Sequence, residues 1–278
     1  MESGFAPSEI DTSRPHPARL YNYYLGGKDN YVVDREAAAE VLRAAPGVRA
    51  MARENRAFLQ RAVRFLVGEA GIRQIIDIGT GIPAAGNVHE VAQQIVPEVR
   101  VAYLDNDPIV HVHACALLTG DGNTSIVLAD LREPEAILAC PRVRELIDFS
   151  QPVAVLLIAI VHFLTDDENP GRIITALSDA LVPGSYLALS HGTGDFHAEA
   201  AVSQATAVYD RATAPLVLRP HAQIAGFFTG FNLVEPGLVQ VPLWRPDGQP
   251  PGPRELAEIG IYGGVGRKAA APGAQGLP

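Results

Sequence analysis

The residues with the clearest chemical potential follow the first apolar run of a repeating pattern. Residues 75–83 read IIDIGTGIP, so a short apolar run ends at Asp77 and the chain then turns through Gly79, Thr80 and Gly81. A buried strand that ends in a glycine turn and leads into a helix brings backbone N–H groups close to nucleotide-like ligands in α/β proteins. This stretch therefore predicts a ligand site at the end of a first strand.

Polar residues also follow the next two apolar runs. YLDNDP places Asp105, Asn106 and Asp107 after the second run, and LADL places Asp130 and Leu131 after the third. Asp105 lies at about the separation from the glycine turn at which an acid accepts hydrogen bonds from both ribose hydroxyls. Asp130 is suited to accept from an adenine amine while the Leu131 N–H donates to a ring nitrogen. We therefore expect an adenosine group along this edge.

The fourth run ends in AIVHF, which brings Ala159 to the same edge of the sheet. The position of Asp77 then separates two classes of ligand. A carboxylate just before the turn would repel a dinucleotide pyrophosphate, whereas it would hold a cationic amino group. The expected ligand is a nucleoside with an amino-acid tail.

A parallel sheet must bring these residues together, and the pattern from Arg73 onward predicts one. Short, nearly continuous apolar runs alternate with helical segments, as expected of parallel strands covered on both faces. The predicted strands are 74–78, 101–105, 124–129, 153–159, 186–190, 233–243 and 258–264. The turn-rich RPDGQPPGP between the last two predicts a hairpin at an antiparallel edge. The expected fold is a Rossmann-like, doubly wound α/β sheet of seven mostly parallel strands.

The N-terminal region is organised differently. Residues 1–16 carry prolines among polar residues without periodicity, which predicts a disordered arm. Helices are expected at ARLYNYYL, 33–45 and 48–69, so residues 17–71 would form a helical cap. Residues 72–268 would then form the ligand-binding domain, and residues 269–278 a disordered tail. Between the strands, helices are expected at 88–96, 108–118, 134–147, 170–181 and 197–211.

Composition narrows the class of partner. The formal net charge of −9 over 278 residues argues against a surface that tracks nucleic-acid phosphates. Cys115 and Cys140 are too few for a disulfide framework and lack the spacing of a zinc site, so no metal is expected. No apolar run is long enough to cross a bilayer. We expect a cytoplasmic protein with a small-molecule partner and no nucleic-acid or membrane partner.

With these motifs the chain resembles the class I S-adenosylmethionine-dependent methyltransferases. The shared pattern is Asp-x-Gly-x-Gly, an acid after the second strand, an Asp after the third, and seven strands that end in a hairpin. Over nearly its whole length it is also similar to an actinobacterial family of such enzymes formerly known as a domain of unknown function. That similarity is carried by RPHPARLYNYYLGGKDN, ENRAFLQRAVRFL, DIGTGIPAAGNVHEVAQ, YLDNDPIV, VHFLTDDE, PGSYLALSH, EPGLV and GGVGRK. The resemblance implies S-adenosylmethionine as cofactor and S-adenosylhomocysteine as product, and it leaves the methyl acceptor open.

Three more groups of residues are candidates for the cofactor site, each with a structural alternative. The loop at Gly27 and Lys28 either folds over the cofactor, with Tyr21 as an apolar wall, or simply caps a helix. Arg56 either binds the methionine carboxylate in the bidentate geometry that guanidinium favours or is a surface charge. Asn87 either faces the ligand, because the turn before it is longer than usual, or only caps a helix.

His162 and His191 stand at the ends of adjacent predicted strands and are the candidate catalytic residues. If the acceptor is a hydroxyl, either could take its proton as general base, and the alternative is a structural role for both. Two other functions stay open at this point. A nicotinamide-dependent oxidoreductase is disfavoured by Asp77 and by the absence of GxGxxG. A protein that binds the cofactor without transferring its methyl group is compatible with every motif.

Overall fold

The computed structural model describes residues 11–117 and 122–270. Its strands are β1 Gln74–Ile78, β2 Arg100–Asp105, β3 Thr124–Leu128, β4 Ala154–Ile158, β5 Tyr186–Gly192, β6 Phe231–Leu233, β7 Val239–Gln240 and β8 Ile261–Lys268. Its α-helices are α1 Pro17–Tyr24, α2 Val32–Ala44, α3 Val48–Arg64, α4 Val88–Gln93, α5 Pro108–Leu117, α6 Pro134–Ala139, α7 Pro141–Leu146, α8 Pro170–Asp179, α9 Glu199–Tyr209, α10 His221–Gly226 and α11 Pro253–Leu256. Of the predicted disordered segments 1–16 and 269–278, residues 1–10 and 271–278 lie outside the described residues.

The strands form one sheet in the order β3-β2-β1-β4-β5-β8-β6, with β7 also paired to β8. Strands β1 to β5 are parallel, and β8 runs antiparallel to its neighbours. The chain leaves β1 toward β2 on one side and later returns to β4 on the other. Open α/β sheets bind ligands at such a reversal, outside the carboxyl ends of the strands. The predicted Rossmann-like fold with an antiparallel edge is confirmed.

The antiparallel edge differs in detail from the prediction. Residues 233–243 do not form one strand, because the chain turns at Pro236 and Gly237 between β6 and β7. Gly237 has a φ of 92°, which is left-handed and not extended, and Pro236 has no N–H to donate to the ladder with β8. Both short strands pair with β8. The predicted two-strand hairpin is therefore a three-strand arrangement around β8.

Two predicted helices also end earlier than expected. The segment 134–147 is divided into α6 and α7 at Pro141. The proline ring disfavours helical geometry at the residue before it, Cys140, which is extended here with a ψ of 123°. The third helix leaves α geometry after Arg64 and finishes as a π-helical turn, Phe65–Glu69. In both cases the apolar residues stay on the side that packs against the sheet.

The core lies on both faces of the sheet, which is why β1 is buried at every position. On one face α3 packs through Phe58 against Trp244, with the two rings edge-on at 5.5 Å. The π-helical turn adds Phe65, whose ring also meets Trp244 edge-on, at 5.9 Å. The buried Arg61 donates to the carbonyls of Trp244 at 2.9 Å and Val241 at 2.7 Å. These bonds fasten the C-terminal segment to the helix that precedes β1. Helices α6, α7, α8 and α10 cover the other face.

Residues 11–16 belong to the predicted disordered arm, yet they are bound to the body. The Thr213 N–H donates to Pro15 O at 3.0 Å, and the His16 N–H donates to Asp34 at 3.0 Å. Arg14 donates to the carbonyl of Ala212. These bonds to α2 and to the turn after α9 replace the water that would solvate a free arm. The boundaries at 17–71 and 72–268 stay a prediction.

Within 11–117 and 122–270, no helix combines the length and apolar character that a bilayer crossing needs.

Candidate active site

A cavity of about 770 Å³ lies over the carboxyl ends of the parallel strands, beneath α1, α2, α3 and α9. This volume is within the usual range for small-molecule sites. Most of the residues predicted for the site line it, namely Tyr21, Arg56, Asp77, Gly79, Thr80, Gly81, Asp105, Asn106, Asp107, Asp130, Leu131, Ala159 and His162. The sheet therefore brings together residues that are up to 141 positions apart in sequence (162 − 21).

The glycine turn after β1 is held by backbone bonds. The N–H groups of Gly79 and Thr80 donate to Leu104 O at 2.8 and 3.2 Å. Gly79 has a φ of 75°, and a Cβ there would lie 2.6 Å from Cγ1 of Ile160. Only glycine meets both conditions without strain. The turn can thus pass close to Ile160, just after β4, and line the cavity with its backbone.

Asp77 and Asp105 are two buried carboxylates at the polar side of the cavity. Burial raises the pKa of Asp77 to about 7, and Arg56 opposes that rise. Burial also raises the pKa of Asp105 to about 6, opposed by the backbone N–H groups of Asp107 and Gly81. Each Asp105 oxygen accepts one of these N–H groups, at 2.9 and 2.8 Å. Each oxygen therefore keeps a lone pair for a further donor.

Two polar atoms of α3 are buried at this side without a hydrogen-bond partner among the described residues, Asn55 Oδ1 and Arg56 Nε. Buried polar groups are normally paired, so an unpaired acceptor beside an unpaired guanidinium donor indicates a missing ligand group. The Arg56 guanidinium is oriented by bonds to Ala84 O at 3.0 Å and Asn87 Oδ1 at 3.1 Å. Asn87 itself does not line the cavity. It positions Arg56 and lies at the start of α4, so a direct contact with the ligand is not supported.

Asp130 is more heavily engaged than its predicted role allows. Its carboxylate accepts from the Arg132 backbone N–H and guanidinium and from Asn106 Nδ2. These four donors fill both oxygens. An adenine amine could bond to Asp130 only after Asn106 or Arg132 turned away. Arg132 lines the cavity and was not among the predicted site residues.

A second group that the sequence did not predict lies where the N-terminal segment meets β2. His16 Nδ1 is 3.1 Å from Asp107 Oδ2, and the buried Arg19 lies between Asp107 at 3.7 Å and Asp34 at 3.6 Å. His16 and Arg19 both line the cavity. The interpretation of residues 1–16 as disordered hid His16, and nothing in the helix pattern of residues 18–25 marked Arg19, because their partners come from α2 and from the residues just after β2.

Gly27 and Lys28 lie outside the cavity wall. The Gly27 N–H donates to Asn22 O at 2.8 Å, and a Cβ at Gly27 would collide with the Asn22 side chain at 2.3 Å. Asn22 Oδ1 also accepts from Asp29 N at 3.1 Å and from Asn30 Nδ2 at 2.8 Å. Lys28 is exposed. The loop is a helix cap held by Asn22, so its structural interpretation accounts for the geometry.

The two histidines have different surroundings. His191 is fully buried outside the cavity wall, and both its nitrogens are used: Nδ1–H donates to Gly192 O at 2.7 Å and Nε2 accepts from Arg219 at 3.1 Å. Burial lowers its pKa to about 4. His162 lines the cavity and accepts the Gly192 N–H through Nδ1 at 3.0 Å. His191 therefore has no nitrogen left to act as a general base.

The other side of the cavity is apolar. We call it the acceptor chamber and define it by Tyr24, Val41, Val48, Phe163, Tyr209 and Leu216, all of which line the cavity. The Tyr24 and Tyr209 hydroxyls pair with each other at 3.2 Å. The chamber is thus built from the cap, from α9 and from the segment after β4, and it adjoins His162 through Phe163.

Comparisons with known proteins agree with this geometry. A family model described as S-adenosyl methyltransferase matches residues 3–269. A DUF574 family protein from Streptomyces avermitilis is 44% identical, with a TM-score of 0.89 over 93% of this chain and 99% of its own. A candidate methyltransferase from Thermobifida fusca is 43% identical, with a TM-score of 0.88 over 96% of this chain and 100% of its own. No curated protein matches the chain.

Proposed function

The chain belongs to the S-adenosyl methyltransferase family and is an S-adenosylmethionine-dependent methyltransferase, and from this premise we propose that it methylates a small molecule held in the acceptor chamber. The observation that carries the proposal is that one cavity joins a polar side with unpaired buried groups to an apolar side. A net charge of −9 supports a small molecule over a nucleic acid as the methyl acceptor. We also propose that the enzyme acts in the cytoplasm.

The polar side fits the amino-acid end of S-adenosylmethionine. Asp77 and Asn55 Oδ1 would accept from the ammonium group, and Arg56 Nε would donate to the carboxylate. The free lone pairs of Asp105 would accept from the ribose hydroxyls. The Leu131 N–H and the edge beside Asp130 would take the adenine ring. This assignment pairs both orphaned atoms of α3.

When bound, the cofactor supplies an electrophilic methyl group on a sulfonium. The residues of the chain mainly hold the two reactants in line and exclude water, and both contributions lower the barrier without a covalent intermediate on the protein. Helices α1 and α2 and residues 11–16 cover the cavity and would keep it dry. The acceptor chamber would set which molecule meets the methyl group.

Calorimetric titration of the purified protein with S-adenosylmethionine, S-adenosylhomocysteine and NADH tests this proposal. We expect both sulfur nucleosides to bind and NADH not to bind. A preference for NADH would overturn the proposal and favour the oxidoreductase alternative. Release of S-adenosylhomocysteine in a metabolite extract then separates a transferase from a protein that only binds the cofactor.

Arg56→Lys should weaken S-adenosylmethionine binding about tenfold, because lysine keeps the charge but loses the Nε–H that faces the carboxylate. Lys28→Ala is the matched control, since Lys28 is exposed and lies outside the cavity wall. We expect its titration curve to match that of the unmodified protein. Equal losses in the two variants would contradict the placement of the carboxylate at Arg56.

Cofactor affinity should rise with pH through the pKa of Asp77. Its pKa of about 7 in the free protein means that it must release a proton to bind a cation. From about pH 7 to about pH 5.5, S-adenosylhomocysteine affinity should therefore fall by roughly tenfold or more. Asp105, with a pKa of about 6, acts in the same direction. Titrations at several pH values check this, and a flat profile would show that the amino group is held elsewhere.

A further inference from the structure

The proton of the His162 ring is confined to one nitrogen. Because Nδ1 accepts the Gly192 N–H at 3.0 Å, Nδ1 has no proton, and the neutral ring carries its proton on Nε2. Nε2 has no hydrogen-bond partner among residues 11–117 and 122–270, and His162 is one of the residues that line the cavity. The Nε2–H is thus a donor that is available to a molecule in the cavity.

The neighbours of Gly192 prevent the other tautomer. Strand β5 pairs with β8 at His191 and Gly192, which holds the peptide that carries the Gly192 N–H. The Gly192 carbonyl, in the next peptide, accepts the His191 Nδ1–H at 2.7 Å and the Arg219 N–H at 3.3 Å. A proton on His162 Nδ1 would point at the Gly192 N–H, so neither the Nδ1–H tautomer nor the imidazolium fits. The Arg219 guanidinium, which bonds to His191 at 3.1 Å and to Leu164 O at 2.9 Å, adds a positive charge nearby.

Burial and the same neighbours act on the titration of His162 in one direction. Burial, His191 and Arg219 all lower its pKa well below the ordinary histidine value. The carboxylate of Asp166, which pairs with Arg219 at 2.6 Å, is the acidic group of this cluster, and it is exposed. A ring that resists protonation cannot take a proton from an acceptor hydroxyl as a general base must.

The acceptor chamber contains no ionised base of its own. Burial raises the pKa of Tyr24 above its ordinary value and that of Tyr209 to about 12, so both hydroxyls stay protonated. The aromatic rings are close to His162: Phe163 lies edge-on to it at 4.5 Å between ring centres and 5.8 Å from Tyr209. Aromatic rings arranged in this way favour the binding of a planar aromatic molecule.

We infer that His162 is a hydrogen-bond donor to the methyl acceptor and not its general base, and that the acceptor is a small aromatic molecule whose hydroxyl is ionised before it enters the chamber. The inference rests on the proposed function. The acceptor oxyanion accepts the Nε2–H and forms the new O–CH3 bond with one of its lone pairs. The C–S bond breaks, its electron pair returns to sulfur, and no proton passes to the protein.

Two amide variants distinguish a hydrogen-bond donor from a general base at position 162. In His162→Asn, the amide oxygen replaces Nδ1 as acceptor for Gly192, but the Nε2–H donor is lost. In His162→Gln, the amide NH2 replaces the Nε2–H donor. Neither side chain can act as a base. We therefore expect KM for the acceptor to rise ten- to hundredfold in His162→Asn and much less in His162→Gln. Equal losses in kcat, of a hundredfold or more, would indicate a base and overturn the inference.

Nitrogen-15 NMR of histidine-labelled protein tests the tautomer without turnover, with the His162 signals identified by their loss in His162→Asn. We expect a protonated Nε2 and an unprotonated Nδ1 from about pH 5.5 to pH 8, in the free protein and with S-adenosylhomocysteine. A protonated Nδ1, or an imidazolium in that range, would contradict the inference even if calorimetry showed normal cofactor binding. Failure of cofactor binding itself would instead overturn the proposed function.

A panel of hydroxy-aromatics of graded acidity, such as the isomeric nitrophenols and larger bicyclic phenols, tests the acceptor class by release of S-adenosylhomocysteine. We expect the pH at which activity rises to follow the pKa of each acceptor and to be the same in His162→Gln. With S-adenosylmethionine saturating at every pH, an inflection common to all acceptors, or one removed by His197→Asn at the cavity wall, would reveal an enzymic base and overturn the inference. Turnover of none, with the cofactor bound, would overturn the acceptor class.

Discussion

Asp77→Asn is expected to lower the affinity for S-adenosylmethionine and S-adenosylhomocysteine about a hundredfold or more. The substitution keeps the shape of the side chain and removes the buried charge that would face the ammonium group in the proposed binding mode, and breaking a desolvated charge pair costs several kcal/mol. Calorimetry with 5′-methylthioadenosine supplies the matched ligand control, because this nucleoside lacks the amino-acid group. Its affinity should be the same for both proteins. A parallel loss for all three ligands would show that Asp77 acts on the turn and not on the amino group.

The same variant should be more stable than the unmodified protein, which excludes unfolding as the cause of weak binding. The pKa of Asp77 is about 7 in the folded chain and about 4 in an unfolded one. A raised folded pKa means that the carboxylate destabilises the fold progressively from about pH 4 and fully above pH 7. At pH 8 the free energy of unfolding of Asp77→Asn should exceed that of the unmodified protein by about 1 to 3 kcal/mol. Urea unfolding at pH 4 and pH 8 measures the difference, which should nearly vanish at the lower pH.

Gly79→Ala should reduce the free energy of unfolding by about 3 kcal/mol and abolish measurable cofactor binding. The left-handed conformation at a φ of 75° costs an L-residue about 1 to 2 kcal/mol. The new Cβ would also lie 2.6 Å from Cγ1 and 2.8 Å from Cβ of Ile160, so the segment after β4 would have to move away from the turn. Overpacking of this kind adds about 1 to 3 kcal/mol.

Gly81→Ala is the control for backbone strain alone. Its φ of 68° is similar, but a Cβ at this position would meet no heavy atom within 4 Å. We expect a loss of only about 1 kcal/mol in urea unfolding. Indistinguishable stabilities for the two alanine variants would contradict the close approach of Ile160 to the turn at Gly79.

The fold and the polar side of the cavity could be predicted in advance because both depend on local patterns. An apolar run of five or six residues predicts a buried strand, and the polar residue that follows the run is the one that lies at the carboxyl end of that strand. Parallel strands align those ends, so Asp77 and Asp105 were certain to meet once the runs were recognised. The edge around β8 was predicted less well, because Pro236 interrupts a run whose apolar residues continue on either side.

Roles that depend on hydrogen-bond partners distant in sequence could not be predicted this way. His162 and His191 are equivalent in the sequence pattern. In the structure the Gly192 N–H, 30 residues after His162, decides which nitrogen of the His162 ring carries the proton. Arg219 donates to Nε2 of His191. Lys28 seemed suited to a binding loop, but Asn22 turns that loop into a helix cap.

The sequence by itself thus determined the α/β architecture, the cofactor class and the carboxylates of the cofactor site, because strand periodicity and turn chemistry each depend on a few neighbouring residues. Only the tertiary structure decided that residues 11–16 are bound against the cavity, that Asn87 orients Arg56, and that His162 Nδ1 accepts the Gly192 N–H. The physical reason is that a buried hydrogen bond is directional. Its partner is chosen by the packing of whole elements, which no local pattern specifies.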